Sequence, residues 1–275
     1  MNLIKILTFF ILPLLLIFSA SSKSNLLISP TRISFDDRQR VSKVIVINNS
    51  DEYRTYRLAW QEKVSKPTGG YTTLPVGEKT ASALSDFVRM SPSQVRLAPG
   101  ERQIVKLALR KPKGLEEREY RSHLLFQALP NETTSNSNSL GIKVNMILSY
   151  SIPIILREGG VNPVVDISTV ELIKINNIKQ LKVSLSRAGE YSSFGKVEVF
   201  FKPDNNKEIK VSMVSDYSIY AEVEEAYLKL NFFNENLITE PGKLRIVYSG
   251  LKEYRGIKFA EKTFDITPSS SGLLN

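Results

Sequence analysis

From Leu140 to Ile154 every even-numbered residue is apolar: Leu140, Ile142, Val144, Met146, Leu148, Tyr150, Ile152 and Ile154. The odd positions are mostly small or polar, with Ile147 and Ile155 excepted. A period of two is that of a β-strand with one apolar face. The run follows Asn131-Glu-Thr-Thr-Ser-Asn-Ser-Asn-Ser139, a polar stretch with nothing to bury. Such a strand either completes its own sheet or is offered to another chain. Exposed edges are normally blunted with charge or proline, and only Lys143 does so in the first half. Tyr150, Ile152 and Ile154 read as ordinary core. The earlier half reads as an edge left free to order on binding.

At the N-terminus, Met1-Asn-Leu-Ile-Lys5 precedes an apolar run from Ile6 to Phe18 and then Ser19-Ala-Ser-Ser22. One cation, an apolar core and small residues predict a secretory signal over residues 1–22, cleaved after Ala20 or Ser22. The run is shorter than the roughly 20 residues of a spanning helix. The mature chain is therefore expected outside the cytoplasm, without membrane insertion. It has no cysteine, so its stability must come from ordinary cores. The net charge is +9, but the lysines and arginines are scattered along strands rather than clustered among aromatics, which argues against nucleic acid.

Short alternating segments separated by turn residues dominate the rest, with little sign of amphipathic helix. Strands are predicted near Asn25–Phe35, Ser42–Asn48, Tyr53–Lys63, Phe87–Val95, Arg102–Arg110, Tyr120–Leu129 and Leu140–Arg157. Turn signals fall between them, among them Asn48-Asn-Ser50, Pro67-Thr-Gly-Gly70 and Ala98-Pro-Gly100. Seven strands suit an immunoglobulin-like sandwich over residues 23–157. Glu158-Gly-Gly-Val-Asn-Pro163 reads as a linker. A second, smaller β-domain over 164–268 is predicted from strands near Val164–Leu172, Gln180–Arg187, Gly195–Phe201, Tyr217–Ala226, Lys243–Tyr248 and Lys258–Ile266. Residues 269–275 read as a loose tail.

Catalytic chemistry finds little support. His123 is the only histidine, so no histidine pair can hold a metal. No Gly-x-Ser-x-Gly elbow accompanies it. Asp36-Asp37 and Glu116-Glu117 lie at turns and read as solvated charge, and Gly69-Gly70 and Gly159-Gly160 lack the strand-to-helix setting of a phosphate loop. Trp60 alternates with Leu58 and reads as core. No enzyme activity, cofactor or metal is expected.

Several segments, in order along the chain, resemble the periplasmic chaperones of the chaperone/usher pathway for fimbrial subunits, in particular the branch serving archaic or alternative pili. They are Ser29-Pro-Thr-Arg-Ile-Ser-Phe35, Val44-Ile-Val-Ile-Asn-Asn49, Leu97-Ala-Pro-Gly-Glu101, Glu119-Tyr-Arg-Ser-His-Leu124 and Tyr150-Ser-Ile-Pro-Ile-Ile155, then Ser186-Arg-Ala-Gly189, Phe194-Gly195 and Tyr217-Ser-Ile-Tyr220. The resemblance implies an all-β fold of two immunoglobulin-like sandwiches arranged as a boomerang. It implies a role in the periplasm: binding pilin-like subunits that lack their last strand, lending them the chaperone's seventh strand, and delivering them to an outer-membrane usher. The donor residues implied are Ile142, Val144, Met146 and Leu148. Two basic residues of the family grip the subunit's C-terminal carboxylate; Arg32 matches the first, while Pro153 stands where the second, a lysine, is usual. Arg121 is the substitute we assign. Arg157 matches a position used between the domains. The alternative reading is a two-domain surface adhesin or binding module in which the same strand is internal, and a third is a β-sandwich hydrolase.

Overall fold

The computed structural model describes residues 26–36, 38–130, 148–176, 178–234, 238, 240–266 and 273–274. Its fold is all-β, in two immunoglobulin-like sandwiches. The first holds β1 (Leu26–Ser29), β2 (Ile33–Phe35), β3 (Val41–Asn48), β4 (Arg54–Gln61), β5 (Lys63–Ser65), β6 (Tyr71–Thr73), β7 (Val88–Ser91), β8 (Gln94–Leu97), β9 (Arg102–Leu109), β10 (Glu119–Ala128) and β11 (Tyr150–Arg157). One sheet runs β1-β3-β9-β7 and the facing one β2-β11-β10-β4-β8, while β5 and β6 pair as a separate hairpin. Alternation sets the faces: Val44 and Val46 of β3 are buried, Lys43 and Ile45 exposed. Phe35, Val46, Leu107, Leu124, Phe126, Ile154 and Leu156 form the core, with Trp60 and Tyr150 packed against it.

The strand expected over Asn25–Phe35 is two strands in opposite sheets, and the chain crosses between them at Pro30-Thr-Arg32. Proline has no N–H for a ladder, so it marks the crossing. Pro92 divides the segment Phe87–Val95 into β7 and β8 in the same way. Asn48 closes the corner after β3, its Nδ2 donating to the carbonyls of Glu52 (2.7 Å), Leu97 (3.0 Å) and Ala98 (3.1 Å).

The second sandwich holds β12 (Val164–Ile175), β13 (Ile178–Ala188), β14 (Ser193–Pro203), β15 (Ile209–Ile219), β16 (Glu225–Asn231), β17 (Gly242–Gly250), β18 (Lys258–Ile266) and β19 (Leu273–Leu274). Its sheets run β16-β13-β12-β19 and β15-β14-β17-β18. Its core, built on Ile167, Val183, Val199, Phe201, Leu244, Ile246 and Tyr248, shares no residue with the first. The strand expected over Tyr217–Ala226 is a correction: Tyr220 to Glu224 form a turn between β15 and β16. The reason lies in Arg187. Its guanidinium takes the carbonyls of Ala221 and Val223, so those groups serve a buried cation rather than a ladder.

Candidate functional site

The edge of β11 is unequal along its length. β10 pairs with it from Tyr150 to Arg157, but on its other side β2 covers only Ile154 to Leu156. Among the described residues, no strand covers that side of β11 from Ser151 to Pro153. Ile33 of β2 lies opposite Ile154, which brings the preceding Arg32 to the point where the open edge ends. Leu148, just upstream, is 47% exposed. Ile142, Val144 and Met146 lie outside the described residues.

Arg32 is buried. Its Nε and Nη2 donate to Glu253 Oε1 of the second sandwich at 3.2 and 2.9 Å, and its guanidinium lies 4.5 Å over the Phe194 ring. Among the described residues, Nη1 has no hydrogen-bond partner. Arg32 lines a cavity of about 320 Å³ between the two sandwiches, together with Tyr71, Pro153, Phe194 and Tyr220.

The β5–β6 hairpin forms one wall of this cavity. Its turn contains Gly69 and Gly70, both at positive φ (88° and 76°), which a side chain would strain. The hairpin reaches the second sandwich through three bonds: Ser65 N–H to Glu222 Oε1 (2.8 Å), Tyr71 to Tyr220 hydroxyl (2.9 Å), and Tyr227 N–H to the Pro67 carbonyl (2.8 Å). Arg121 stands behind it. Its Nη1 and Nη2 donate to the Glu222 carboxylate at 3.2 and 2.5 Å, Nη2 also reaches the Lys63 carbonyl at 3.0 Å, and the guanidinium stacks 3.9 Å over Tyr220.

Lys63 extends from β5 to Ser151 of β11, with Nζ to Oγ at 2.5 Å. His123, opposite Pro153 in the ladder, is buried under the edge of the Tyr71 ring at 4.8 Å. Burial first, then the neighbouring cations Arg121 and Lys63, push its imidazole down to about 3, so it is neutral at physiological pH. Among the described residues no cluster of His, Cys, Asp or Glu could hold a metal.

Arg157 also spans the sandwiches. It meets two rings of the second, Tyr254 at 4.6 Å and Tyr191 at 5.1 Å, and donates to the Val161 carbonyl at 3.0 Å. Glu119 completes the junction, accepting from the N–H (2.9 Å) and hydroxyl (2.6 Å) of Ser192. Sequence reasoning missed Glu119, Glu222 and Glu253. Each meets its partner across the domain junction, and no local spacing marks them.

Residues 25–161 match the family described as pili and flagellar-assembly chaperone, PapD N-terminal domain. No curated protein matches the chain by sequence. Among solved structures, the chain is similar to the CsuC–CsuE chaperone–tip adhesion subunit pre-assembly complex from archaic chaperone-usher Csu pili of Acinetobacter baumannii, at 14% identity over 89% of this chain and 99% of that one, with a TM-score of 0.46. It is similar to the Salmonella enterica SafA pilin in complex with the SafB chaperone at 11% identity over 90% and 99%, with a TM-score of 0.47. The Pseudomonas aeruginosa CupB2 chaperone follows at 14% identity over 87% and 98%, with a TM-score of 0.42.

Proposed function

Through residues 25–161 the chain belongs to the family of pili and flagellar-assembly chaperones, and from that premise we propose that this pilus-assembly chaperone works in the periplasm by lending the strand around β11 to a pilin-like subunit, which it then delivers to an outer-membrane usher. The observation that supports the reading is the half-covered edge of β11, where among the described residues no strand lies beside Ser151 to Pro153 and β2 closes the edge from Ile154. A strand added there gains main-chain hydrogen bonds. It must stop where β2 begins, and the group waiting at that point is Arg32.

A cation at the stop selects a terminal carboxylate over a terminal ammonium. The added strand then runs parallel to β11, with its C-terminus at Arg32. Nη1, buried and without a partner among the described residues, is the donor left over for it. Arg121 supports the same anchor from behind by tying Glu222 and the Lys63 carbonyl together. The even-numbered Ile142, Val144, Met146 and Leu148 continue the parity of the core residues Ile152 and Ile154. Burying four such side chains in a subunit contributes on the order of 6 to 12 kcal/mol before ordering costs. Methionine among them adapts to more than one subunit.

Delivery needs a second surface, away from the cleft. The outer face of the β1-β3-β9-β7 sheet supports one: Leu27, Val41, Ile45 and Ile104 are exposed there, Ile45 lies opposite Ile104, and the charged side chains on these strands are Lys43, Arg89, Arg102 and Lys106, with no carboxylate. An apolar patch of that kind marks an interaction site.

Co-expression with a pilin-like subunit is expected to give a soluble one-to-one complex. Replacing Met146 and Leu148 by Asp abolishes the complex while the free protein stays folded. If the free variant unfolds instead, the strand is internal and the adhesin reading takes its place.

A further inference from the structure

We propose that Lys63, on the hairpin rather than on β11, is the second cation that receives the subunit's terminal carboxylate; the proposal rests on the strand-lending reading above. Four observations carry it.

The first is position. Lys63 Nζ sits on Ser151 Oγ at 2.5 Å. Ser151 and Pro153 share one face of β11, two residues or about 7 Å apart. Pro153 lines the cavity that holds Arg32 but offers no charge. A lysine stem turning about its own bonds covers that distance, so Arg32 and Lys63 can close on one carboxylate from two sides.

The second is the contrast with four other cations of the domain junction. Arg32 is paired with Glu253, Arg121 with Glu222, Arg118 with Glu190 and Lys111 with Glu158. Lys63 has no carboxylate partner among the described residues, and its hydrogen bond goes to a neutral hydroxyl.

The third is what that isolation costs. Burial lowers the Lys63 ammonium below its ordinary range. A partly desolvated charge without a counter-ion opposes folding, so an incoming anion is stabilised where it can pair with it.

The fourth is mounting. The Lys63 carbonyl is held by Arg121, and two residues on the Ser65 N–H is held by Glu222, so the side chain leaves a fixed main chain and points to the open edge.

The test uses a short fluorescent peptide of alternating valine and threonine, prepared with a free C-terminal carboxylate and as its C-terminal amide, titrated into the full-length mature chain. Wild-type protein is expected to prefer the carboxylate form by about tenfold, the size of one charge-assisted hydrogen bond. Lys63→Met is expected to lose most of that preference while melting no lower than the wild type, and Lys63→Arg is expected to restore the preference. A wild-type protein that binds both forms alike, or neither, overturns the strand-lending reading and this proposal with it. A wild-type preference that survives intact in Lys63→Met overturns the role of Lys63 alone.

Discussion

Arg32 Nη2 and Glu253 Oε1 lie 2.9 Å apart across the junction of the two sandwiches, and the arginine side chain is only 4% exposed. Glu253 comes from a single 3-10 turn, Lys252–Tyr254, whose Tyr254 is buried and donates its hydroxyl to the Ser192 carbonyl. The second domain thus supplies a carboxylate to the same guanidinium that is proposed to take one from the subunit. In the free protein Glu253 keeps a buried charge neutralised. In the proposed complex it would compete with the subunit carboxylate.

Glu253→Gln separates these two effects. The amide keeps the shape and loses the charge, leaving Arg32 uncompensated, so folding stability is expected to fall by about 2 to 4 kcal/mol in urea denaturation. Affinity for a peptide with a free C-terminal carboxylate is expected to rise in the same variant. A fall in affinity means that Glu253 orients Arg32 for binding rather than competing for it.

His123 makes stability depend on pH. Its folded value of about 3 lies below the unfolded value near 6.5, so between these limits the unfolded chain binds the extra proton. Stability is complete above about pH 6.5 and is lost as pH falls through that window, at up to about 1.4 kcal/mol per unit. The groups facing the ring are the cations Arg121 and Lys63 and the Tyr71 ring, and none of these offers it a counter-charge. Comparing urea midpoints at pH 7 and pH 5 checks this, because few carboxylates titrate there. His123→Phe is expected to flatten the difference. Since the chain has a single histidine, its ring protons report the titration directly by NMR.

Legibility in the sequence followed the range of the interactions. The alternation in β3 and at Ile152 and Ile154 is local, and it marked both strands and core faces. Pro30 and Pro92 were visible as residues, yet their effect, cutting one expected strand into two, depends on which sheet each half joins. The turn at Pro67 to Gly70 was readable from its glycines; that it ends a hairpin docked on another domain was not. Arg32 stood out through the segment around it. Its partner Glu253, 221 positions away, carries no mark in the chain. The displaced strand near Tyr217 shows the same limit, because the cause is a side chain some 30 residues earlier that claims main-chain carbonyls.

On the proposed reading, the outer face of the β1-β3-β9-β7 sheet separates delivery from holding. Lys43 lies directly opposite Lys106, an arrangement that disfavours the sheet unless something acidic covers it. Ile45→Asp and Ile104→Asp sit on exposed positions (37% and 43%) and are expected to change stability by less than about 1 kcal/mol. Co-purification with a subunit is expected to persist in the double variant. Pull-down by a usher's periplasmic domain is expected to be lost. Loss of the subunit complex in a folded variant means that this face serves the subunit instead.

Arg187 is the residue whose removal should travel furthest. It is 5% exposed and donates to four carbonyls: Val223 (3.0 Å), Gly189 (2.5 Å), Tyr191 (3.1 Å) and Ala221. Burial lowers its affinity for the proton, while Glu119, Glu222 and other carboxylates around it oppose that. The carbonyls belong to two loops that carry the junction: one presents Ser192 to Glu119, the other Glu222 to Arg121. Arg187→Lys keeps the charge and cannot reproduce a fork of donors, so several buried carbonyls lose their partner. The expected cost is about 2 to 4 kcal/mol in urea unfolding. Because Arg121 and Ser65 both depend on Glu222, the variant is also expected to loosen the hairpin, seen as faster amide exchange at Ser65, and to weaken carboxylate-peptide binding although Arg187 does not line the cavity. Unchanged exchange at Ser65 in a destabilised variant confines Arg187 to the second sandwich.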